Sequence, residues 1–339
     1  MNPLSEHRPS SNHGLRTFVE ASTALQPLVV LVGPTAIGKS RIAIEVAQAL
    51  GTEILTADST QVYRGMNVGT DTPSEEDRQR VPHRLIDLVE PDEPFNAGEF
   101  RRQALREISR LYENGLLPLV VGGTGLYVRA LLNGLWAGPP SDRILRRKLE
   151  EEARARGGES MYQELSRVDP ATARRLHPRD TVKVLRALEV YRQTGVPLSK
   201  AHEAHRERAT TPFRTLILGL TMERAVLYQR IDQRVDVELA KGLVDETRTL
   251  LEKGYSRDLV SMKSLGYRQM AGYLEGEYSF DDAVRRLKRD TRHFAKRQMT
   301  WFRKEPDLTW VEVQPDESVR SVSQRVVTLI DRFLRTLQG

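Results

Sequence analysis

Leu28-Val29-Val30-Leu31-Val32 runs straight into Gly33-Pro34-Thr35-Ala36-Ile37-Gly38-Lys39-Ser40, and this junction decides the fold. A short apolar, β-branched run of this kind reads as a strand buried on both faces. The octet after it matches G-x-x-x-x-G-K-[ST] in full. That spacing has a mechanical reason. Glycines let the backbone curl so that successive N–H groups converge on an anion, and a helix N-terminus adds positive potential. Lys39 supplies a mobile charge, and Ser40 is the expected protein ligand of a Mg²⁺ ion. Ile42, Ala43, Val46, Ala47 and Leu50 then recur at helical spacing, with Gly51 ending the helix. Strand, loop and helix together predict a polyphosphate site. They name neither the compound nor the bond that breaks.

Working outward, Glu53–Ala57 reads as a second strand with Asp58 at its carboxyl end, and Arg84–Leu88 as a third. Ala97–Asn114 looks helical, and Leu116–Val121 is a further strand closed by Gly122-Gly123-Thr124-Gly125. Strands alternating with helices imply an α/β fold: a P-loop NTPase-like parallel sheet with helices on both faces. Ligands of such sheets bind beyond the carboxyl ends of the strands, where these polar turns fall. After Trp136–Pro140 the chain becomes charged and helical, so residues 139–211 are expected to form a small all-helical insertion. Thr215–Leu220 restores the strand pattern, giving a core of residues 27–138 and 212–339. Helices follow over residues 224–253. The last long one starts at a capping signal, Ser279 with Asp282, and has Phe280, Val284, Leu287, Thr291, Phe294 and Trp301 as its expected apolar face. A short strand and a closing helix complete the tail.

The 339 residues include no cysteine, which excludes disulfides, Cys-ligated zinc and thiol catalysis. No apolar run approaches the ~18 residues of a membrane helix, and residues 1–26 are polar, read as a disordered extension without a secretion signal. A cytoplasmic protein is expected. The net charge is +6, yet residues 285–304 alone hold nine Lys or Arg against the single acid Asp290, a local +8. Such a stripe is either a solvated helix face or the footprint of a phosphate backbone. The second reading is preferred here, because cations this dense repel unless a polyanion screens them.

A P-loop alone suggests an ATPase or kinase, with Asp58 or Asp87 as its Mg²⁺-binding Asp. More of the chain argues otherwise. The P-loop, Asp58-Ser59-Thr60-Gln61-Val62-Tyr63, Gly69-Thr70, Pro82-His83-Arg84-Leu85-Ile86-Asp87 and Val121–Tyr127 occur in order. Arg186–Val190, Leu265-Gly266-Tyr267-Arg268-Gln269 and Ala295–Arg303 follow. Together, over about residues 28–304, they resemble the tRNA dimethylallyltransferases (tRNA isopentenyltransferases), of bacterial type. The resemblance implies transfer of a dimethylallyl group from dimethylallyl diphosphate to N6 of the adenosine 3′-adjacent to the anticodon. The implied partners are dimethylallyl diphosphate and the tRNA anticodon stem-loop, the cofactor is Mg²⁺, and the protein is expected to be a monomer.

Residue roles follow from the same resemblance. Gly33–Ser40 would hold the diphosphate as a leaving group. Asp58 matches the general base, a Mg²⁺ ligand or helix cap being the alternatives. Thr124 matches a residue between diphosphate and base, and helix capping is equally open to it. Arg230 is the candidate diphosphate clamp, with Arg234 one turn along. Gln61 would read the adenine edge with its donor and acceptor, beside Ser59 and Thr60. Arg146 and the stretch Val182-Lys183-Val184-Leu185-Arg186 match RNA-contacting positions, as do Arg268, Lys296 and Arg297. Lys183 stands where arginine is expected, which removes a bidentate contact. His83 is expected to orient a neighbour.

Overall fold

The computed structural model describes residues 25–136, 138–140, 142–208 and 211–337. Six parallel strands form one sheet: β1 (Gln26–Val32), β2 (Ile54–Ala57), β3 (His83–Arg84), β4 (Leu119–Gly122), β5 (Phe213–Thr221) and β6 (Leu308–Glu312). Their order is β3-β2-β4-β1-β5-β6. The helices around them are α1 (Lys39–Leu50), α2 (Glu75–Arg80), α3 (Ala97–Glu113) and α4 (Gly125–Asn133), then α10 (Arg224–Ala240), α11 (Leu243–Glu252), α12 (Tyr267–Leu274), α13 (Phe280–Phe302) and α14 (Val319–Arg335).

β1 is central, with Val29 paired to Leu119 on one side and Leu216 on the other. A strand covered on both edges and both faces must be apolar at every position, which is why residues 28–32 do not alternate. Val29 and Leu31 pack with Ile42 and Val46 of α1 and Val322, Val326 and Ile330 of α14. Leu28, Val30 and Val32 pack on the opposite face with Phe100, Ala104 and Ile108 of α3 and Val128 and Leu131 of α4. The layered α/β fold expected from the sequence is the observed one.

Three local expectations need correction. The third strand stops after Arg84, because Leu85 and Asp87 take φ of 66° and 52°; the Asp87 and Leu88 N–H groups turn to the Gln61 and Val62 carbonyls. The fourth begins at Leu119, because the Leu116 N–H still bonds Leu111 and Pro118 has no N–H to give. In α13 the Ser279 hydroxyl does cap the helix, accepting from Asp282 N at 3.2 Å. Its buried stripe, however, is Ala283, Leu287, Thr291, Ala295, Gln298 and Phe302, while Phe280 is exposed. Ala283 and Leu287 of this stripe pack with Val62, Tyr63 and Val235, Ala295 joins the sheet core, and Gln298 meets backbone.

Asn133–Thr211 makes a second compact unit, the remainder of the chain the first. It holds α5 (Arg143–Arg156), α6 (Gly158–Val168), α7 (Pro170–Ala173), α8 (Thr181–Thr194) and α9 (Leu198–Arg208), and no strand among the described residues. Leu149, Met161, Leu165, Val184, Leu185 and Leu188 form its core. The expected extension lies outside the described residues except at its end, where Gln26 already opens β1. Among the described residues, no helix is long and apolar enough to cross a membrane.

Candidate active site

The P-loop leaves β1 so close to β5 that a Cβ on Gly33 would stand 3.1 Å from the Leu220 carbonyl oxygen. Gly38, at φ 99°, caps α1 in the left-handed region that glycine tolerates. Lys39 reaches back over the loop and donates to the Pro34 carbonyl at 2.8 Å. Its enclosure lowers the ammonium pKa to about 8, with Asp58 opposing the shift and Arg234 adding to it.

A cleft of about 300 Å³ opens beyond the carboxyl ends of the strands. Thr35, Lys39, Ser40, Asp58, Gln61 and Arg234 all line it. The turn after β2 aims Asp58: its Oδ1 accepts from the Thr60 N–H at 2.9 Å and the Thr60 hydroxyl at 2.7 Å. Its Oδ2 has no hydrogen-bond partner among the described residues. Thr124 Oγ1 accepts from Ser59 N at 2.9 Å and lies 3.3 Å from Ser59 Oγ, so it joins the ends of β2 and β4 beside Asp58. Its side chain does not cap α4.

Close approach explains the glycines around Thr124. A Cβ on Gly122 would fall 2.1 Å from the Ala57 oxygen, on Gly123 2.4 Å from Gln298 Nε2, and on Gly125 2.3 Å from the Trp301 ring. Gln298 accepts from Thr35 N at 2.9 Å and donates to Gly123 O at 2.9 Å, bridging P-loop and β4 from α13. The expected apolar face of α13 shares Leu287 and Thr291 with the buried stripe but leaves out the polar Gln298, which is how the sequence reading passed over it. The signal was a helical series, Ala283, Leu287, Thr291 and Ala295 at steps of four with Gln298 three further on.

The arginine at the loop is Arg234, not Arg230. Arg234 donates to Thr35 Oγ1 at 2.9 Å and to Glu238 at 2.6 Å, and lies 3.4 Å from Asp71. Arg230, one turn earlier, bonds the Pro315 carbonyl at 3.0 Å and is absent from the cleft. Residues four apart share one helix face, about 6 Å apart along its axis, so spacing alone does not choose between them. Glu238, a second residue missed from the sequence, is buried; burial pushes its carboxyl pKa up against the pull of Arg234.

Gln61 also differs from expectation. Its amide nitrogen donates to the Thr70 and Asp71 carbonyls at 3.0 and 3.1 Å, so only Oε1 is left to meet a base. His83 lines the cleft and donates from Nδ1 to Val81 O at 2.8 Å, and burial lowers its pKa. Asp87 pairs with Arg78 at 2.8 Å outside the cleft, whereas Asp58 and Asp71 both line it, Asp71 being paired with Arg234. No group of three or more His, Asp or Glu suited to a metal occurs among the described residues. The hard oxygens of Ser40 and Asp58 nonetheless suit Mg²⁺, which keeps several waters and takes the rest of its ligands from substrate phosphates.

The basic helix is partly neutralised from within the fold. Lys288 pairs with Asp236 at 2.6 Å and Arg292 with Asp232 at 2.7 Å, both on α10, while Arg289 meets Asp290 at 2.9 Å and Arg285 pairs with Asp282. Four of the nine cations are thus relieved without a polyanion, and Arg286 lies over the Tyr278 ring. Lys296, Arg297, Arg303 and Lys304 have no carboxylate partner among the described residues. Lys296, Arg297 and Lys304 flank a groove with His293, Thr300 and Trp301. Arg268 lines the cleft and pairs with Asp290 at 2.8 Å.

In the helical unit, Val182 and Lys183 are exposed, whereas Val184 and Leu185 are core residues and present no side chain to RNA. Helical geometry turns the members of residues 182–186 to different sides, so they do not form one continuous RNA-facing stretch. Arg146 and Arg186 meet on the buried Glu189, at 3.2 and 3.0 Å. The pairings tie both arginines to the core of this unit while leaving their side chains 25% and 35% exposed.

Two family models match the chain, IPP transferase over residues 61–305 and isopentenyl transferase over residues 26–90. It is 51% identical over 285 residues to the tRNA dimethylallyltransferase of Geobacter metallireducens, covering 84% of this chain and 92% of that one. The chain belongs to the tRNA dimethylallyltransferase family. Identity to the Pelotomaculum thermopropionicum member is 47% over 310 residues, 91% of this chain and 98% of the other. Among solved structures, the full-length tRNA isopentenylpyrophosphate transferase of Bacillus halodurans matches with a TM-score of 0.69 and 36% identity, over 92% of this chain and 98% of that one. A eukaryotic dimethylallyltransferase captured acting on tRNA matches with a TM-score of 0.78 and 27% identity, over 92% and 80%.

Proposed function

We infer that the protein transfers a dimethylallyl group from dimethylallyl diphosphate to N6 of the adenosine 3′-adjacent to a tRNA anticodon, releasing diphosphate. The observation that carries this reading is the sharing of one cleft by a cationic P-loop and a carboxylate with an unengaged oxygen. Family membership supplies the substrate class. The P-loop N–H groups, Lys39 and Arg234 would receive the charge that grows on the diphosphate as its C–O bond breaks. The N6–C bond forms as that bond opens, and Asp58 Oδ2 accepts the N6 proton. Thr124 can redirect its hydroxyl from Ser59 to the departing oxygen. Gln61 Oε1 can accept from the other N6 hydrogen. Bound Mg²⁺, held through Ser40, would supply further positive charge to the diphosphate.

The target adenosine has to leave its stack to enter the cleft. Lys296, Arg297 and Lys304 are suited to the flanking phosphates, and Arg268 to the rim of the cleft. Asp58→Asn keeps the size of the side chain and removes its basicity. Prenyl transfer to unmodified tRNA, followed by nucleoside mass, is expected to fall ~10²–10⁴-fold with pyrophosphate affinity kept. Turnover of ATP with no prenylated adenosine in the wild-type reaction defeats this reading in favour of a phosphoryl-transfer enzyme.

A further inference from the structure

Glu246 of α11 lies outside the cleft lining, yet three successive backbone N–H groups converge on its carboxylate: Asn67 at 2.9 Å, Val68 at 3.0 Å and Gly69 at 3.3 Å. Tyr267, fully buried at the start of α12, donates its hydroxyl to the same carboxylate at 2.6 Å and accepts from Gly69 N at 3.2 Å. A Cβ on Gly69 would fall 2.6 Å from the Tyr267 ring, so the loop lies as close to it as glycine permits. Successive N–H groups of this kind form an anion nest. Here the anion is the protein's own carboxylate.

The loop so held runs directly into the cleft. The Thr70 and Asp71 carbonyls accept both hydrogen bonds of the Gln61 amide, and Asp71 sits 3.4 Å from Arg234. We propose that Glu246 and Tyr267 are positioning residues for the nucleobase side of the transfer, acting through residues 67–71 to aim Gln61 Oε1 beside Asp58. This rests on the transfer reading above. The two sides of the cleft depend on the loop unequally. Gln61 has both amide contacts on it, whereas Arg234 keeps Glu238 and Thr35 when Asp71 moves.

Glu246→Gln retains shape but turns an NH₂ toward backbone donors, which releases the loop without removing side-chain volume. Calorimetry with inorganic pyrophosphate counts intact sites and gives their Kd; single-turnover prenyl transfer to unmodified tRNA gives the rate per intact site. Glu246→Gln is expected to lower that rate about 10- to 100-fold, and Tyr267→Phe about two- to tenfold. Pyrophosphate Kd should stay within about twofold in both, since Arg234 keeps its other partners. A purely structural role lowers the number of sites and leaves the rate per site unchanged, and that result in Glu246→Gln overturns the proposal. An equal loss of pyrophosphate affinity also overturns it, because the loop then serves the diphosphate. Should Glu246→Gln fail to fold, Tyr267→Phe decides by the same measure. Wild-type protein that transfers no prenyl group removes the functional reading and this inference with it; normal wild-type transfer with unaltered variants removes the inference alone.

Discussion

Replacing Arg234 by methionine tests the diphosphate side most sharply, because it separates that residue from Arg230 and from its buried partner. Arg234 gives Thr35 a charge-assisted bond and pairs with Glu238, whose side chain is only 9% exposed. A hydrogen bond to a charged group is worth about 1.5–3 kcal/mol, so Arg234→Met should weaken pyrophosphate binding about 10- to 150-fold. Arg230→Met, which gives up only a contact to the Pro315 carbonyl, should change it less than about twofold. Stability should respond separately. Breaking a buried pair costs about 3–5 kcal/mol, and the lower end applies because Arg234 is 25% exposed.

Part of that cost depends on pH. The Glu238 carboxyl already titrates above its ordinary range, and losing Arg234 raises it further. The folded variant then keeps a proton that the unfolded chain releases. Its stability deficit should therefore be small near pH 5 and grow as pH rises through the raised pKa of Glu238. Adding Glu238→Gln should restore most of the stability at pH 8 and none of the pyrophosphate affinity. Urea melts at two pH values and calorimetry with Mg²⁺ and pyrophosphate measure all of this. Equal binding losses in the Arg230 and Arg234 variants, or a deficit that does not vary with pH, would refute the assignment.

Gly122→Ala should cost about 3 kcal/mol or more in urea unfolding, since its methyl meets the Ala57 backbone between β2 and β4, where no side chain can yield. Lys39 in the free protein loses its proton above about pH 8; pyrophosphate binding should then be accompanied by proton uptake, and affinity should fall as pH rises beyond that point. Lys39→Arg should abolish the uptake, as read from calorimetry in buffers of different ionisation enthalpy. Lys296→Ala with Arg297→Ala should make the plot of log tRNA affinity against log salt shallower by about 0.7–0.9 per lost phosphate contact. Lys288→Ala, whose charge is already spent on Asp236, should change that slope much less.

The sequence by itself determined the parallel sheet, the P-loop and the carboxylate that faces it. Each of these is local: an apolar run between glycines, an octet whose spacing follows from how backbone N–H groups converge, and an aspartate at a strand end. The glycines around Thr124 were visible as a motif, but their reason was not. It lies in Ala57, Gln298 and Trp301, which sequence distance hides. The tertiary structure alone chose Arg234 over Arg230, since one turn of α10 separates an arginine on the P-loop from one on the Pro315 carbonyl. It likewise buried Gln298 in a helix face that hydrophobicity assigns differently, and paired two cations of the basic stripe, Lys288 and Arg292, with α10 carboxylates. Helical periodicity specifies which residues share a face; only packing against the neighbouring elements specifies which face meets the site.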